Sequence, residues 1–530
     1  MRLPLPERFL YTFGPMALLR SVATVGGYTM MSRILGFVRD VLTAALLGAG
    51  PVTDAFFVAL RLPNLFRSLF AEGAFSVAFV PLFAGMVAKD GRQAAGRFAE
   101  ASLAVLLSAL FVFVLLGEAA MPWLLHVLAP GFAAEPEKFA LTVALTRITF
   151  PYLLFISLVA LLGGVLNSVE RFAATAATPV LLNIFLIGAL TLTHPPSGAA
   201  LAWAVTAAGF AQFLWLMVSC HNAGLTLALP RPRLSPEVKR LMRLMLPGAF
   251  GAGVTQLNLV ISTAIASLLP TGAVSYLYYA DRLNQLPLGV VGIAVGTAIL
   301  PPLSRQVRLG DEAGARETQN RGLELAFLLT LPAAVALGVA ALPILEVLFQ
   351  RGAFGPVEVH ATAGALAAYA VGLPAFVLVK VMAPGFFARH DTATPVKIAL
   401  GAMAVNVALT LSLGLLTPLA HVGIALATSA AGWVNALMLI FLLHRRGHFT
   451  LDRRARRSLP RMLAAAIGMG VLLVVIEALV RPALGGGLAL RLFALAGIVG
   501  GGLAGFAGLA LVLGVVEWQE VKRRLLRLAA

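Results

Sequence analysis

Apolar runs, each long enough to cross a lipid bilayer as a helix, follow one another along most of this sequence. A helix needs about 20 apolar residues to span the hydrocarbon core, and charged or Pro/Gly-rich loops separate the runs. Only 12% of the residues are charged, whereas a soluble protein has about 25%. The sequence therefore predicts an all-α polytopic membrane protein with about fourteen transmembrane helices. We place the spans near residues 22–47, 53–87, 96–117, 139–166, 173–193, 198–220, 240–268, 273–304, 321–345, 361–386, 394–415, 420–444, 460–480 and 489–515.

Basic residues are concentrated in alternate loops, and this predicts the orientation of the chain. Loops such as 231–240 and 445–457 are strongly basic, whereas the loops between the basic ones are short or acidic. The positive-inside rule therefore predicts that the N- and C-termini are both cytoplasmic, which agrees with an even number of spans. The N-terminal residues 1–20 and the tail 518–530 are predicted to lie on the membrane surface.

The sequence also repeats itself. Ala59–Leu62 matches Ala280–Leu283, and Ala177–Val180 recurs as Ala393–Val396. Because the offset contains an even number of helices, both copies keep one orientation. This predicts two pseudo-twofold lobes of about six helices each, an arrangement typical of alternating-access transporters. We predict an N-lobe at residues 1–235, a C-lobe at residues 236–457, and two extra helices with the tail at residues 458–530.

Several charged side chains lie inside or at the edges of apolar segments, where each costs about 3 kcal/mol. They are Arg33, Arg39, Asp40, Asp54, Arg61, Arg67 and Glu72 in the first half, and Asp281 and Arg282 in the second. Charges in such positions need partners, a water-filled cavity or an anionic ligand.

Helical spacing groups these charges. Asp54, Arg61, Ser68 and Glu72 share one face of an ideal helix, with Asn64 at its edge. Pro63 interrupts the helix one turn before Arg67 and could turn that side chain toward the same face. Arg282 occupies the repeat position of Arg61.

Two interpretations of this set are open. Ion pairs such as Arg33 with Asp40, or Arg61 with Asp54, would fix helix packing. Pairing leaves arginine in excess, however, and excess arginine in a low-dielectric cavity suits bidentate binding of phosphate. The second interpretation is therefore a site for an anionic headgroup.

Other functional classes find little support. The single cysteine, Cys220, cannot form an internal disulfide, and the histidines lack ligand spacing. Neither a zinc-protease motif nor a phosphate-binding loop is present, so we expect no catalytic residue, no metal and no cofactor. The formal net charge of +17 lies in short loops rather than on a solvated domain, which excludes a nucleic-acid partner.

The sequence resembles the MviN/MurJ family of lipid II flippases, in the superfamily that includes the multidrug/toxin extruders. The resemblance extends over essentially the whole chain. Its most specific segments are SRILGFVRD, TDAFFVALRLPNLFRSLFAEGAFSVAFVPLF, YYADRLNQLPLGVVGIAVGTAILPPLS and VKVMAPGFFARHDTATPVKIA. The resemblance implies transport of undecaprenyl-pyrophosphate-linked peptidoglycan precursor from the cytoplasmic to the periplasmic leaflet of the bacterial inner membrane. It also implies alternating access through a cationic central cavity, with the two extra helices holding the polyprenyl tail.

Roles for the polar residues follow from this resemblance together with the helical spacing. We expect Arg33, Arg39, Arg67 and Arg282, with Arg61 and Asn64, to bind substrate; Asp40, Asp54, Glu72, Asp281 and Ser32 would balance charge or gate the cavity. Ser68, Arg61 and Gln285 depart from the family pattern, so no mechanism should depend on a charge at positions 68 or 285. The expected energy source is the membrane potential or an ion gradient. The expected partners are lipid II, membrane lipids and cell-wall synthesis proteins, and the protein is expected to be a monomer.

Two rival functions make different demands on the same residues. An antiporter of organic cations, like the related extruders, needs an excess of acids. An enzyme acting on polyprenyl pyrophosphate needs a carboxylate cluster for a metal, or a nucleophile with a base. The acids of this chain are interleaved with arginine, which fits neither demand.

Overall fold

The structure is a computed structural model that describes residues 15–68 and 75–515, with side chains except those of residues 15–22, 76–77, 246–255, 293–294 and 297. Apart from a bridge between Arg351 and Phe354, all regular structure in the described residues is helical. The first half contains α1 (Pro15–Leu47), α2 (Pro51–Phe66), α3 (Ser76–Ala119), α4 (Met121–Leu128), α5 (Pro136–Thr149), α6 (Tyr152–Ser168), α7 (Phe172–Leu192), α8 (Gly198–Asn222) and α9 (Pro236–Ser267). The second half contains α10 (Ala273–Pro287), α11 (Ile293–Arg308), α12 (Glu312–Val339), α13 (Ala341–Leu348), α14 (Pro356–Phe387), α15 (Ala393–Leu415), α16 (Ala420–Arg445), α17 (Arg453–Leu484) and α18 (Leu488–Val512). The predicted all-α polytopic membrane fold is confirmed. Of the surface segments predicted at residues 1–20 and 518–530, residues 15–20 begin helix α1, and residues 1–14 and 518–530 lie outside the described residues.

Ten helical stretches in the described part of the chain are long and apolar enough to cross a membrane. They correspond to ten of the predicted spans, and the remaining four are those near residues 22–47, 53–87, 240–268 and 273–304. The first of these four carries Arg33, Arg39 and Asp40, and the second and fourth are each divided between two helices. The total of fourteen spans therefore stays a prediction. The four predicted spans that are not among the ten apolar stretches include those with the most charged residues.

The long helix α3 contains parts of two predicted spans. Gly91 interrupts it with φ 84° and ψ 169°, a conformation that L side chains rarely adopt. The chain can therefore turn between residues 87 and 96 without a separate loop.

The chain divides into two compact units. Unit 1 comprises residues 1–42, 59–124 and 142–256, and unit 2 comprises residues 43–58, 125–141 and 257–530. Helices α1, α2, α4, α5 and α9 each contribute residues to both units. The lobe boundaries at residues 235 and 457 describe the sequence repeat and stay a prediction.

Each unit has its own apolar core. In unit 1, the stacked rings of Phe75, Phe79, Phe83 and Phe98 pack against the leucines of α6. In unit 2, α14 is central: its buried residues pack with α11, α12 and α16. A second cluster in unit 2 joins α17 and α18 to α12.

The two sequence repeats share a backbone irregularity. Helix α2 runs through Pro63 and widens into a π-helical turn at Arg67 and Ser68. Helix α10 ends at Pro287 and passes into the π-helical segment Leu288–Gly292. Arg67 and Leu288 are separated by 221 residues, the same offset as Ala59 and Ala280. The local change of helical winding is thus part of the repeat, and it shifts the face on which Arg67 lies.

Candidate functional site

A buried amide on α7 organises the polar residues of α1 in unit 1. Asn183, only 5% exposed, donates its amide hydrogens to the carbonyl oxygens of Ser32 (3.0 Å) and Pro179 (3.2 Å). Its Oδ1 atom accepts a hydrogen bond of 2.9 Å from Nη1 of Arg39. Nε and Nη2 of Arg39 donate to Oδ1 of Asp40 at 3.0 and 2.7 Å. The Arg39 guanidinium is therefore held by two helices before any ligand arrives.

Arg33 differs from its neighbour on α1. Its side chain is exposed and forms no hydrogen bond or ion pair with the described part of the chain. Asp40, which sequence reasoning considered as its partner, is 5% exposed and pairs with Arg39 instead. Arg33 thus retains its full donor capacity, five N–H groups in a planar fork.

The end of α2 brings a second group of polar residues together in unit 1. Nε of Arg67 donates to Oδ1 of Asn64 at 3.3 Å. The hydroxyl of Ser68 accepts a 2.8 Å hydrogen bond from Nε2 of Gln256 on α9. Arg61 is half-buried one turn earlier on the same helix. Glu72, the fourth member of the predicted polar face, lies outside the described residues.

In unit 2, Asp54 caps the N-terminus of α10 from another part of the sequence. Its carboxylate accepts hydrogen bonds from the backbone amides of Gly272 (2.7 Å) and Ser275 (3.0 Å) and from the Ser275 hydroxyl (2.6 Å). Asp54 is 1% exposed. A carboxylate is stabilised at this position because the first amides of a helix lack internal partners and carry partial positive charge.

A buried lysine completes the environment of Asp54. Nζ of Lys138, whose side chain is 3% exposed, lies 3.4 Å from Oδ2 of Asp54 and 3.6 Å from Oε1 of Glu135. The same ammonium donates to the Thr271 hydroxyl (2.9 Å) and lies 4.1 Å from the centre of the Phe132 ring. The Asp54–Lys138 ion pair therefore joins three parts of unit 2, which are segments 43–58 and 125–141 and the start of α10.

Asp281 and Arg282 lie on α10 in unit 2. Nη2 of Arg282 donates to the Tyr278 hydroxyl (2.9 Å), and the guanidinium lies 4.9 Å from the centre of that ring. Tyr278 in turn stacks on Phe57 with ring centres 3.7 Å apart. The Asp281 carboxylate accepts a hydrogen bond from the side-chain amide of Gln285. An uncharged residue at position 285 can therefore hold Asp281 in place. Arg282 is exposed, and an aromatic stack orients it.

Sequence reasoning missed three residues that position these groups. Asn183 is a lone amide in the apolar run LLNIFLIG, and such isolation could have marked it. Lys138 follows Glu135 and Glu137, which flank Pro136, and has the sequence context of an ordinary loop charge. Gln256 has no local signal, because its partner Ser68 is 188 residues away.

The family model for "Lipid II flippase MurJ" matches residues 43–494 of this chain. The probable lipid II flippase MurJ of Rhizobium meliloti (strain 1021) is 46% identical over 521 residues, which cover 97% of each chain. The probable lipid II flippase MurJ of Vibrio cholerae is 39% identical over 516 residues, covering 94% of this chain and 96% of the relative.

Solved structures show the same fold. A structure of lipid II flippase MurJ in an inward closed conformation superposes with a TM-score of 0.73 at 22% identity, covering 92% of this chain and 99% of that one. An inward-facing multidrug resistance MATE transporter of the MOP superfamily superposes with a TM-score of 0.66 at 15% identity, covering 81% of this chain and 98% of that one. From the family match and the identity of its relatives, this chain belongs to the lipid II flippase MurJ family.

Proposed function

We propose that this protein carries lipid II from the cytoplasmic to the periplasmic leaflet of the bacterial inner membrane by alternating access. The observation that carries the proposal is Arg33, an exposed guanidinium on α1 without a partner among the described residues. A permanent cation in that position is costly unless an anion binds it, and the pyrophosphate of lipid II is such an anion. Membership of the family supports this substrate.

The residues around Arg33 would have separate tasks. Arg39 is held in place by Asp40 and Asn183. Its side chain would therefore lose little conformational entropy when it binds the phosphate. Arg67, braced by Asn64, would add a third cation from unit 1. We further propose that Arg282, held by Tyr278, binds the same phosphates at another stage of transport.

The direction of transport can follow from electrostatics alone. A potential that is negative inside favours outward movement of anionic groups by about 2.3 kcal/mol per charge for each 100 mV. In this proposal both termini are cytoplasmic, the protein acts as a monomer, it catalyses no covalent chemistry, and the membrane potential drives it without a cofactor. A proton or ion gradient is the alternative energy source.

The charge of the site argues against export of organic cations, although the fold is shared with MATE transporters. A cation exporter needs a carboxylate available to its substrate. Asp40 is bonded to Arg39, and Asp54 is bonded to Lys138 and the start of α10. The exposed charge on α1 is instead a guanidinium.

Complementation in cells depleted of their own lipid II flippase tests the proposal. Arg33→Ala and Arg282→Ala proteins should insert normally and fail to expose lipid II on the outer leaflet, detected with a membrane-impermeant label. Arg233→Ala, which removes an exposed loop arginine, is the matched control and should support normal exposure. Normal outward exposure of lipid II by both the Arg33→Ala and the Arg282→Ala protein would refute the proposal.

A further inference from the structure

One face at the start of α17 consists of arginines. Arg453, Arg456, Arg457 and Arg461 are all exposed, and their spacing of three, four and eight residues places them on one side of the helix. The buried residues of the same turns, Ala455, Ser458 and Met462, lie on the opposite side, against α12. We call these four arginines the α17 stripe.

The α17 stripe continues into a face that suits contact with lipid. Ile467, Val471 and Val474 are 57%, 63% and 56% exposed and follow the stripe along the same side of the helix. Helix α17 is long and apolar enough to cross a membrane. The arginines therefore lie where a lipid-facing surface ends, at the level of the phospholipid headgroups.

The acids near this end of α17 are engaged on its inner side. Asp452 caps the helix through the Ala455 amide (2.6 Å) and pairs with Arg321 of α12. Glu324 of α12, 7% exposed, bonds Arg321 and the Ser458 hydroxyl. Glu324 also lies 3.5 Å from Nε of Arg454, which is not part of the stripe. Both carboxylates therefore have their partners in the contact between α12 and α17.

The stripe itself has no acidic partner in the described part of the chain. The side chains of Arg453, Arg456 and Arg457 form no hydrogen bond or ion pair there, and the Arg461 side chain donates only to the Gly514 carbonyl at 3.3 Å. Cations in the first turns of a helix are also repelled by its positive end. Four uncompensated positive charges at this position call for an anion from outside the protein.

The residue type indicates which anion. The segment RRARRSLPR contains five arginines and no lysine. Arginine offers a planar fork of donors that matches phosphate, and it is more weakly hydrated than lysine. We propose that the α17 stripe is a binding site for the headgroup phosphates of anionic phospholipids, and that these lipids anchor the two C-terminal helices at the membrane surface. A soluble polyanion fits less well, because the stripe is continuous with the lipid-facing side of α17.

Lipid retention tests the proposal independently of transport. The full-length protein is reconstituted in nanodiscs of phosphatidylethanolamine and phosphatidylglycerol, extracted gently, and its retained lipids are counted by native mass spectrometry. A variant with all four stripe arginines changed to Gln should retain about tenfold less phosphatidylglycerol. Changing the four arginines to Lys should restore part of the retention, and retention by the unmodified protein should fall as salt is raised.

The matched control removes four positive charges where acids are interspersed. Lys89, Arg92, Arg97 and Arg171 are exposed; Asp90 lies between Lys89 and Arg92, and Glu100 follows Arg97 by three residues. Their replacement by Gln should leave retained phosphatidylglycerol unchanged. Equal loss of phosphatidylglycerol in the control and stripe variants would overturn the proposal. If the fourfold variant unfolds, Arg456→Gln with Arg457→Gln provides the same comparison.

Discussion

At the scale of single residues, Asp54 and Lys138 show how this protein keeps charge inside an apolar structure. Both side chains are at least 97% buried, and each has a charged partner and further hydrogen bonds. Removing one member of such a pair leaves an uncompensated buried charge, which costs about 3–5 kcal/mol, whereas removing both can be nearly neutral. We therefore expect the effects on stability of changing Asp54 and of changing Lys138 to be coupled.

We expect Asp54→Asn to lower the thermal stability of the purified protein strongly, because Lys138 loses its buried carboxylate partner and keeps only the exposed Glu135, at 3.6 Å. Lys138→Met should also destabilise it, since Asp54 loses its nearest cation. The double variant should be more stable than the sum of the single effects predicts. Thermal unfolding in detergent measures all four proteins, and additive effects would show that the two charges are not coupled.

Asp391, between α14 and α15, should make the stability of the protein depend on pH. Its carboxylate accepts from the Thr394 hydroxyl and amide and from Nη1 of Arg446, and these bonds lower the pKa of Asp391 below its ordinary value of 3.8. A lowered folded-state pKa gives stabilisation that is complete above the unfolded-state pKa and is lost as pH falls through the folded-state value. Asp391→Asn should therefore destabilise the protein at neutral pH, and the difference in melting temperature should shrink below pH 3.8. A difference that is constant down to acid pH would contradict this assignment.

The predictability of the site differs from residue to residue for physical reasons. Arg33, Arg39 and Asp54 could be identified because a charge in an apolar run is improbable without a function or a partner. The partners themselves could not, because Asp40 has two arginines within reach along α1 and only the position of Asn183 on α7 selects Arg39. Lys138 was missed because a lysine beside two glutamates gives no sign that folding buries it.

At the scale of helices, the contact between α1 and α7 depends on one amide. Asn183 binds the Ser32 carbonyl and Arg39 together, and a Cβ added at Gly36 would lie 3.6 Å from that amide. Gln212 on α8 offers a matched comparison in the same unit, because it is 1% exposed and donates to the Thr178 carbonyl of α7 (2.7 Å) without touching an arginine.

We expect Asn183→Leu to reduce lipid II transport far more than Gln212→Leu does. Each change removes a buried amide and should cost about 1–3 kcal/mol of stability through the partner left unsatisfied. Only the first also releases Arg39, so transport should fall severalfold beyond the loss explained by stability. The two variants are compared by lipid II exposure per amount of folded protein, and equal losses would mean that Asn183 serves packing alone.

Helix-scale prediction succeeded where the apolar pattern is uninterrupted, as in α7, α15 and α18. It was less complete where the backbone departs from ideal winding, because π-helical turns such as Arg67–Ser68 and Leu288–Gly292 leave the hydrophobic pattern almost unchanged. The positive φ of Gly91 likewise determines where α3 bends, and the apolar pattern does not show which glycines adopt such a conformation.

At the scale of the whole molecule, the two compact units share helices. Segment 43–58 joins unit 2, whereas the rest of α1 and α2 belongs to unit 1. This segment is held by backbone as well as by Asp54: the Ala353 amide donates to the Ala45 carbonyl at 2.8 Å. A Cβ on Gly352 would lie 2.1 Å from the Ala45 carbonyl oxygen, so only glycine permits this approach. Ala45 and Ala353 both belong to unit 2, so the junction fixes the C-terminal end of α1 within that unit.

Alternating access requires helix ends to exchange contacts during the transport cycle, and we expect the end of α1 to leave this junction. Crosslinking the junction should then stop transport. With Cys220 replaced by Ala, cysteines at positions 45 and 353 should form a disulfide, or react with a short bifunctional reagent, and lipid II exposure should fall to background until the link is reduced. A pair at positions 368 and 429 is the control, because Ser429 donates to the Ala368 carbonyl within the α14–α16 core (2.7 Å), where helices should stay packed during transport. That control link should leave transport intact. Undiminished transport by fully linked 45–353 protein would mean that the junction stays closed throughout the cycle.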